Sequence, residues 1–309
     1  MSNDVKLKGR DLISIADLSS AEAQWLIKKA ATGKKGKVPP VLNGRTLALL
    51  FEKPSLRTRV SFDVAMDQLG GHCLYLSPQE VALGKREPVA DVARVLTRYV
   101  NGIVARTFAH ETVVSLAKYA SVPVINGLSD CEHPCQALAD LLTIYEKKGK
   151  LEGITLAYVG DGNNVANSLM LAAAHTGMRF RIASPAGYAV CDDVLGKARE
   201  LARRSGAEIV TTADPGAAVA GADVVYTDVW VSMGQESQAR ERLAAMAPYQ
   251  VNKSLLERAH PDALFMHPLP AHHGEEVADG VIDSPQSVVF DQAENRLHIQ
   301  RTILAEVMA

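Results

Sequence analysis

Cysteine is scarce in this chain: four in 309 residues, at Cys73, Cys131, Cys135 and Cys191, with no Cys-x-x-Cys pair. That argues against a disulfide scaffold and predicts a reduced, cytoplasmic setting. An excess of either charge is also missing. Lys and Arg number 33 against 35 Asp and Glu, for a formal net charge of -2, and no block of one sign occurs. Nucleic acid and a charged membrane surface are therefore not expected as partners. No apolar run approaches membrane-spanning length, and Met1-Ser2-Asn3-Asp4 is polar, unlike a signal or transit peptide. Low-complexity stretches and Pro-rich linkers are absent too.

What remains is an ordinary soluble composition, 47% hydrophobic and 22% charged, in a chain long enough for two domains. Short apolar runs alternate with helical patterns. Strands are predicted at Thr46–Phe51, Cys73–Leu76, Gly102–Arg106, Val122–Asn126, Ile154–Val159, Phe180–Ala183, Glu208–Val210, Val224–Thr227 and Leu264–His267. Helices are predicted between them, at Thr58–Leu69, Pro88–Tyr99, Glu111–Ala120, Gln136–Glu146, Val165–Thr176 and Asp193–Ser205, with a last one at Arg296–Met308. This alternation is the signature of parallel α/β sheets. Lys147-Lys148-Gly149-Lys150 suits a helix end and a domain junction, giving domains at 1–147 and 148–295. Ligands of such sheets bind outside the carboxyl ends of strands, so the loops there hold the candidate chemistry.

The first such loop is Glu52-Lys53-Pro54-Ser55-Leu56-Arg57-Thr58-Arg59, which opens a helix. Ser55 stands at the N-cap, where free backbone N–H groups and the helix dipole favour an anion. Ser55 and Thr58 add hydroxyls, and Arg57 and Arg59 add forked donors. The competing reading is a plain capped helix with two solvated arginines. Arg106 ends a buried run and is either a site cation at the sheet edge or a surface charge. Cys131-Glu132-His133-Pro134-Cys135-Gln136 invites a metal reading, but no second ligand pair stands at a recognisable spacing. His133 and Gln136 read better as donors at a helix start.

In the second half, Gly160-Asp161-Gly162-Asn163-Asn164 lacks the third glycine of a dinucleotide turn, since Val165 stands there. Its asparagines suit a small polar ligand. Asp228-Val229-Trp230-Val231-Ser232-Met233-Gly234 follows a strand and suits an amino acid, with the carboxylate for an ammonium and turn N–H groups for a carboxylate. His267-Pro268-Leu269-Pro270 is a loop stiffened by two prolines. His272 and His273 read as polar loop residues, without a carboxylate or Cys partner at ligand spacing.

These loops, in this order, together with Phe290-Asp291-Gln292-Ala293-Glu294-Asn295-Arg296, closely resemble the aspartate/ornithine carbamoyltransferase family from about Leu12 onward. The Ser-Met-Gly loop and the Asn163-Asn164 turn resemble its ornithine branch. The resemblance implies two doubly wound α/β domains with the C-terminal helix, 296–309, packing back on the first. It implies a homotrimer or a multiple of trimers, and no metal or organic cofactor. Carbamoyl phosphate would be held by Ser55, Leu56, Arg57, Thr58, Arg106, His133, Gln136, Pro268, Leu269 and Arg296. Of these, Arg57, Arg106 and His133 would be catalytic. Ornithine would be held by Asn164, Asp228, Ser232 and Met233. Two positions depart from the pattern. Pro268 replaces the cysteine usual in the ornithine branch, and Ala82 replaces a glutamine. They keep open an acceptor other than ornithine (aspartate, putrescine or an acylated ornithine) or a non-catalytic homologue. A nicotinamide-dependent dehydrogenase is the remaining alternative.

Overall fold

The computed structural model describes residues 6–84, 86–232 and 234–309. The chain divides into two compact units. One runs up to Leu142 and resumes at Glu294–Ala309, and the other is Thr143–Ala293.

The first unit holds α1 (Ser20–Gly33), β1 (Thr46–Phe51), α2 (Leu56–Gln68), β2 (His72–Leu76), α3 (Pro78–Val81), α4 (Val89–Leu96), β3 (Gly102–Arg106), α5 (His110–Tyr119) and β4 (Val124–Leu128). Its sheet is parallel throughout, in the order β2-β1-β3-β4. β1 and β3 are buried along almost their whole length because helices cover both faces of such a sheet. The order reverses between β1 and β3, where Phe51 stands beside Arg106. That reversal is the place where an open α/β sheet leaves a crevice at its carboxyl edge.

Helix α6 (Pro134–Lys148) begins in the first unit. The second unit then holds β5 (Thr155–Val159), α7 (Asn164–Thr176), β6 (Arg179–Ala183), α8 (Asp192–Ser205), β7 (Glu208–Thr212), α9 (Pro215–Val219), β8 (Val224–Tyr226), α10 (Ala239–Met246), α11 (Lys253–Leu256) and β9 (Leu264–Met266). This sheet is also parallel, in the order β7-β6-β5-β8-β9, and reverses between β5 and β8. Tyr158 and Tyr226, paired in register across that reversal, stack with centroids 5.6 Å apart. The last helix, α12 (Val289–Met308), has its main length in the first unit. There Arg301 donates to Gln68 Oε1 at 2.7 Å and to the Gly33 carbonyl at 2.9 Å. The expected return of the C-terminal helix to the first domain is thus observed.

All nine expected strands are present, and several elements depart from expectation. β4 starts two residues later than expected, at Val124, because Pro123 has no N–H to give and only its carbonyl joins the ladder, to Ile103 N at 2.9 Å. It then continues through Asn126, whose Nδ2 is tied to the Ile13 carbonyl at 2.9 Å. α12 begins at Val289 instead of Arg296, and its first turns carry Gln292, whose Oε1 accepts from His267 N at 2.9 Å. α1 was not among the expected helices, although Ser19 and Glu22 form a capping box that announces it. No described helix is long and apolar enough to cross a membrane.

Candidate active site residues in the two units

In the first unit the chain leaves β1 at Phe51 and turns into α2. Glu52 N donates to the Arg106 carbonyl at 2.8 Å, locking the two loops at the sheet reversal. Ser55 is the N-cap of α2 in extended conformation, and its Oγ accepts from Thr58 N at 3.3 Å. Its hydroxyl donates to Thr58 Oγ1 at 3.0 Å, and Arg296 Nη2 donates to the same oxygen at 2.7 Å. Thr58 is fully buried and thereby joins the helix start to α12. Leu56 exposes 76% of its surface, so only its backbone N–H can serve an anion. Arg57 is half-buried. Arg59 lies over the Tyr75 ring at 3.9 Å and so belongs to an aromatic cluster with Phe51.

Arg106 stands where β3 slips register against β4, and such an irregularity re-aims a side chain. It is 6% exposed, and its Nε has no hydrogen-bond partner among the described residues. Burial and the neighbouring cations Arg296 and Arg57 push its guanidinium down. His133, just ahead of α6, is 5% exposed, and burial, Arg296, Arg106 and Lys53 hold its ring well below the usual imidazole range. Gln136 donates Nε2 to the buried carboxylate of Asp140 at 2.8 Å, which leaves its Oε1 as an unfilled acceptor. Lys53 was not assigned by sequence reasoning. It is 8% exposed, its ammonium lies 4.9 Å from the Phe108 ring, and burial and Arg106 press its pKa down to about 8. The signal for it was its place in the loop after β1, but only burial distinguishes it from a surface lysine.

Several cations and a neutral imidazole thus share one buried region. Like charges in low dielectric repel, so an anion that neutralises them is strongly favoured there. The neighbouring Cys135 is buried and its thiol is pushed up to about 12, which leaves it a packed, protonated side chain that donates to the Asn126 carbonyl.

The depressed His133 has a consequence for stability. The unfolded chain takes up this proton near pH 6.5, whereas the folded one resists it until well below. Stability from this group is therefore complete above pH 6.5 and is lost as pH falls below it. Urea unfolding of the ligand-free protein will show a decline of about 1.4 kcal/mol per pH unit from this one proton. His133→Gln will flatten that decline, and an unchanged slope would count against the assignment.

In the second unit Gly162 is dictated by close approach, since a Cβ there would meet Val190 N at 2.3 Å. Gly162 N donates to the Tyr188 carbonyl at 2.8 Å. The chain's own 188–190 segment therefore packs against the glycine that a dinucleotide turn leaves open for a pyrophosphate. Asn163 caps α7, accepting from Val165 N and Ala166 N, and its Nδ2 donates to Asp228 Oδ2 at 2.8 Å. Sequence reasoning chose Asn164, which is the half-buried first residue of α7; Asn163 is the one that aligns Asp228. Asp228 is 7% exposed, and burial raises its pKa against the opposing hydrogen bond from Asn163.

The Ser232–Gly234 turn differs from expectation. Ser232 N donates to Gln235 Oε1 at 3.0 Å, and Gly234 N is met by both carboxylate oxygens of Glu236 at 3.0 and 3.1 Å. The turn N–H groups expected to take a ligand's carboxylate already hold carboxylate and amide oxygens from their own loop. Met233 lies outside the described residues.

His267 is fully buried. Its Nδ1 accepts from Leu269 N at 2.9 Å, so its Nε2 carries the proton and donates to Glu276 Oε1 at 3.2 Å. Pro268 and Leu269 follow it and belong to the second unit, whereas the other expected phosphate residues belong to the first. One reading is overturned here: both histidines have carboxylate partners, His273 with Asp279 Oδ1 3.9 Å from its Nδ1, and His272 with two. Glu275 and Glu276, three and four residues on, bring an oxygen each to 3.8 and 3.7 Å from its Nδ1. The loop turns back at Gly274, in left-handed conformation at φ 88°, and that return makes the contact.

Comparison with known proteins also finds two domains, with the part of α12 that belongs to the first unit falling inside the second matched span. Residues 10–146 match the model of the aspartate/ornithine carbamoyltransferase carbamoyl-P binding domain, and residues 152–307 match that of the Asp/Orn binding domain. The chain is 54% identical to the ornithine carbamoyltransferase of Anoxybacillus flavithermus, over 100% of this chain and 99% of that protein. It is 55% identical to the anabolic ornithine carbamoyltransferase of Pyrococcus furiosus, over 98% of each. The solved ornithine carbamoyltransferase of Pyrococcus furiosus superposes with a TM-score of 0.95 over 98% of both chains. That of Gloeobacter violaceus is 46% identical with a TM-score of 0.90, over 99% of this chain and 100% of that one.

Proposed function

The chain belongs to the aspartate/ornithine carbamoyltransferase family, and from that premise we propose how its two units divide one reaction. It is a carbamoyltransferase, moving the carbamoyl group of carbamoyl phosphate to the δ-amine of L-ornithine and releasing L-citrulline and phosphate in arginine biosynthesis. The observation that carries the division of roles is the buried cation region of the first unit, with Arg106 Nε and Gln136 Oε1 unfilled.

In this reading the N–H groups after Ser55, with Thr58, Arg57, Arg106 and Arg296, hold the phosphate. His133, neutral at working pH, donates one ring N–H to the carbonyl oxygen, and Gln136 Oε1 receives the carbamoyl NH2. As the amine attacks, charge builds on the carbonyl oxygen, and donors already in place stabilise it at little reorganisation cost. Collapse of the tetrahedral intermediate breaks the C–O bond, and phosphate leaves with its charge matched by the arginines. In the second unit Asp228, aligned by Asn163, receives an ammonium of ornithine, and Asn164, Ser232 and Met233 complete its binding. The expected Pro268 and Leu269 contribution comes from this unit's loop. For the α-carboxylate to use the Ser232–Gly234 turn, Gln235 and Glu236 must first release it.

The δ-ammonium must lose a proton before attack, at roughly 4–5 kcal/mol at pH 7 for a lysine-like amine. His267 is not the acceptor of that proton, since Nδ1 and Nε2 are both engaged. With proline at 268 no thiol stands there either, so solvent or the departing phosphate takes it. The family resemblance adds a trimer, or a multiple of trimers, and a cytoplasmic location. A citrulline assay over pH 6 to 9 with ornithine, aspartate and putrescine tests the reading. Ornithine alone should react, with kcat/KM rising about tenfold per pH unit on the acid side. Turnover with another amine instead, or a flat profile, would overturn it.

A further inference from the structure

The loop after β9 carries a group that the transfer reaction does not use. Glu276 is fully buried, and its two oxygens are treated very differently. Oε1 accepts from His267 Nε2 at 3.2 Å and from His272 N at 2.6 Å. Oε2 is buried without a hydrogen-bond partner among the described residues. An unmet carboxylate oxygen in a buried place is costly, and a cation is what such an oxygen most strongly favours. Facing it are His272 Nδ1, 3.7 Å away, and through it Glu275 Oε2, 3.8 Å from the same nitrogen. The three ligand atoms all lie within 4.8 Å of one another.

We propose that His272, Glu275 and Glu276 form a binding site for a divalent transition metal of the zinc type. The ligand set is one imidazole and two carboxylates, which suits zinc and leaves a fourth position open to water or a ligand. Around zinc at about 2.0–2.1 Å, neighbouring ligand atoms stand roughly 3.3 Å apart. The two separations from His272 Nδ1, 3.7 and 3.8 Å, exceed that by about half an ångström, so the exposed ligands must draw in to reach the ion. His272 and Glu275 expose 48% and 42% of their side chains and have room to rotate inward, while Glu276 is the rigid member. Two carboxylates and a neutral imidazole balance the ion's charge. The supporting shell is already built, because His267 holds Glu276 and receives the Leu269 N–H at 2.9 Å. An ion here would pin the 267–276 loop, and with it Pro268 and Leu269.

The test uses the full-length protein freed of metal by chelator, titrated with Zn2+ and, separately, with Co2+. One ion per chain should bind, on the order of micromolar, and Co2+ should give the visible bands of four coordination with N/O ligands. His272→Ala and Glu275→Gln, both at exposed positions, should each weaken binding about 10–100-fold while citrulline formation without added metal stays unchanged. Binding that survives both substitutions belongs to other histidines and overturns the site. Absence of binding of either ion overturns it as well, and a His272 Nδ1–H bonded to Glu276 Oε2, read by nitrogen NMR, would then show that the oxygen has a proton donor and needs no ion.

Discussion

Arg106→Met lowers kcat/KM for carbamoyl phosphate by about 10²–10³-fold and at the same time raises the melting temperature of the ligand-free protein. Both effects come from one fact. Arg106 is 6% exposed among cations, and its charge is opposed by burial, Arg296 and Arg57. In the empty protein that charge is a cost, and methionine keeps the apolar stem while removing it. A gain of about 1–2 kcal/mol, or a few degrees, is expected. In the proposed site the same charge would donate to bound carbamoyl phosphate, and its loss would remove stabilisation that grows as negative charge leaves with the phosphate. The two signs are checked by steady-state kinetics and by thermal melts with and without phosphate. Phosphate should raise the wild-type midpoint far more than the variant's. A variant that melts lower without ligand and turns over normally would remove Arg106 from the site.

The second large effect lies at the other end of the reaction. Asp228→Asn lowers kcat/KM for ornithine by about 10²–10³-fold and leaves the KM for carbamoyl phosphate near its original value. Breaking a desolvated ion pair costs about 3–5 kcal/mol, since the remaining charge stays buried without its partner. Asparagine still accepts from Asn163 Nδ2, so the geometry of the turn survives and the loss is one of charge. Stability moves the opposite way. Burial raises the Asp228 pKa, so its ionised form is penalised in the fold, and the penalty is present above the folded pKa and fades as pH falls through it. The variant should therefore melt at or above the wild type at pH 8 and converge with it in acid. Equal losses for both substrates would mean that the substitution disturbs the fold and not the acceptor site.

Much of this was legible in the residues alone. The alternation of apolar runs and helical patterns gave nine strands in two parallel sheets, because each strand's pattern depends on neighbours two to four residues away. Ser55 at the N-cap and Arg106 at a strand end were readable for the same reason, and strand ends are where an α/β sheet binds ligands. The order of the loops then carried the family. The start of β4 was misread because Val122-Pro123-Val124 is apolar, while the ladder depends on which residue has an N–H to donate.

By itself, then, the sequence determined the fold class, since periodicity and caps are properties of the chain's own neighbourhood, while the reaction and the expected site loops came from the resemblance of its motifs, in their order, to a known family. Only the tertiary structure decided which side chains in those loops bear an unmet charge or a taken donor. Lys53 and Arg106 owe their depressed pKa values to burial beside other cations. Asn163 holds Asp228 across 65 residues, and Glu236 occupies an N–H that looked open to a ligand. His272 meets two carboxylates because a left-handed Gly274 turns the loop back. Desolvation and competition for a donor are set by what arrives through space, and that depends on the whole sheet having closed around the site.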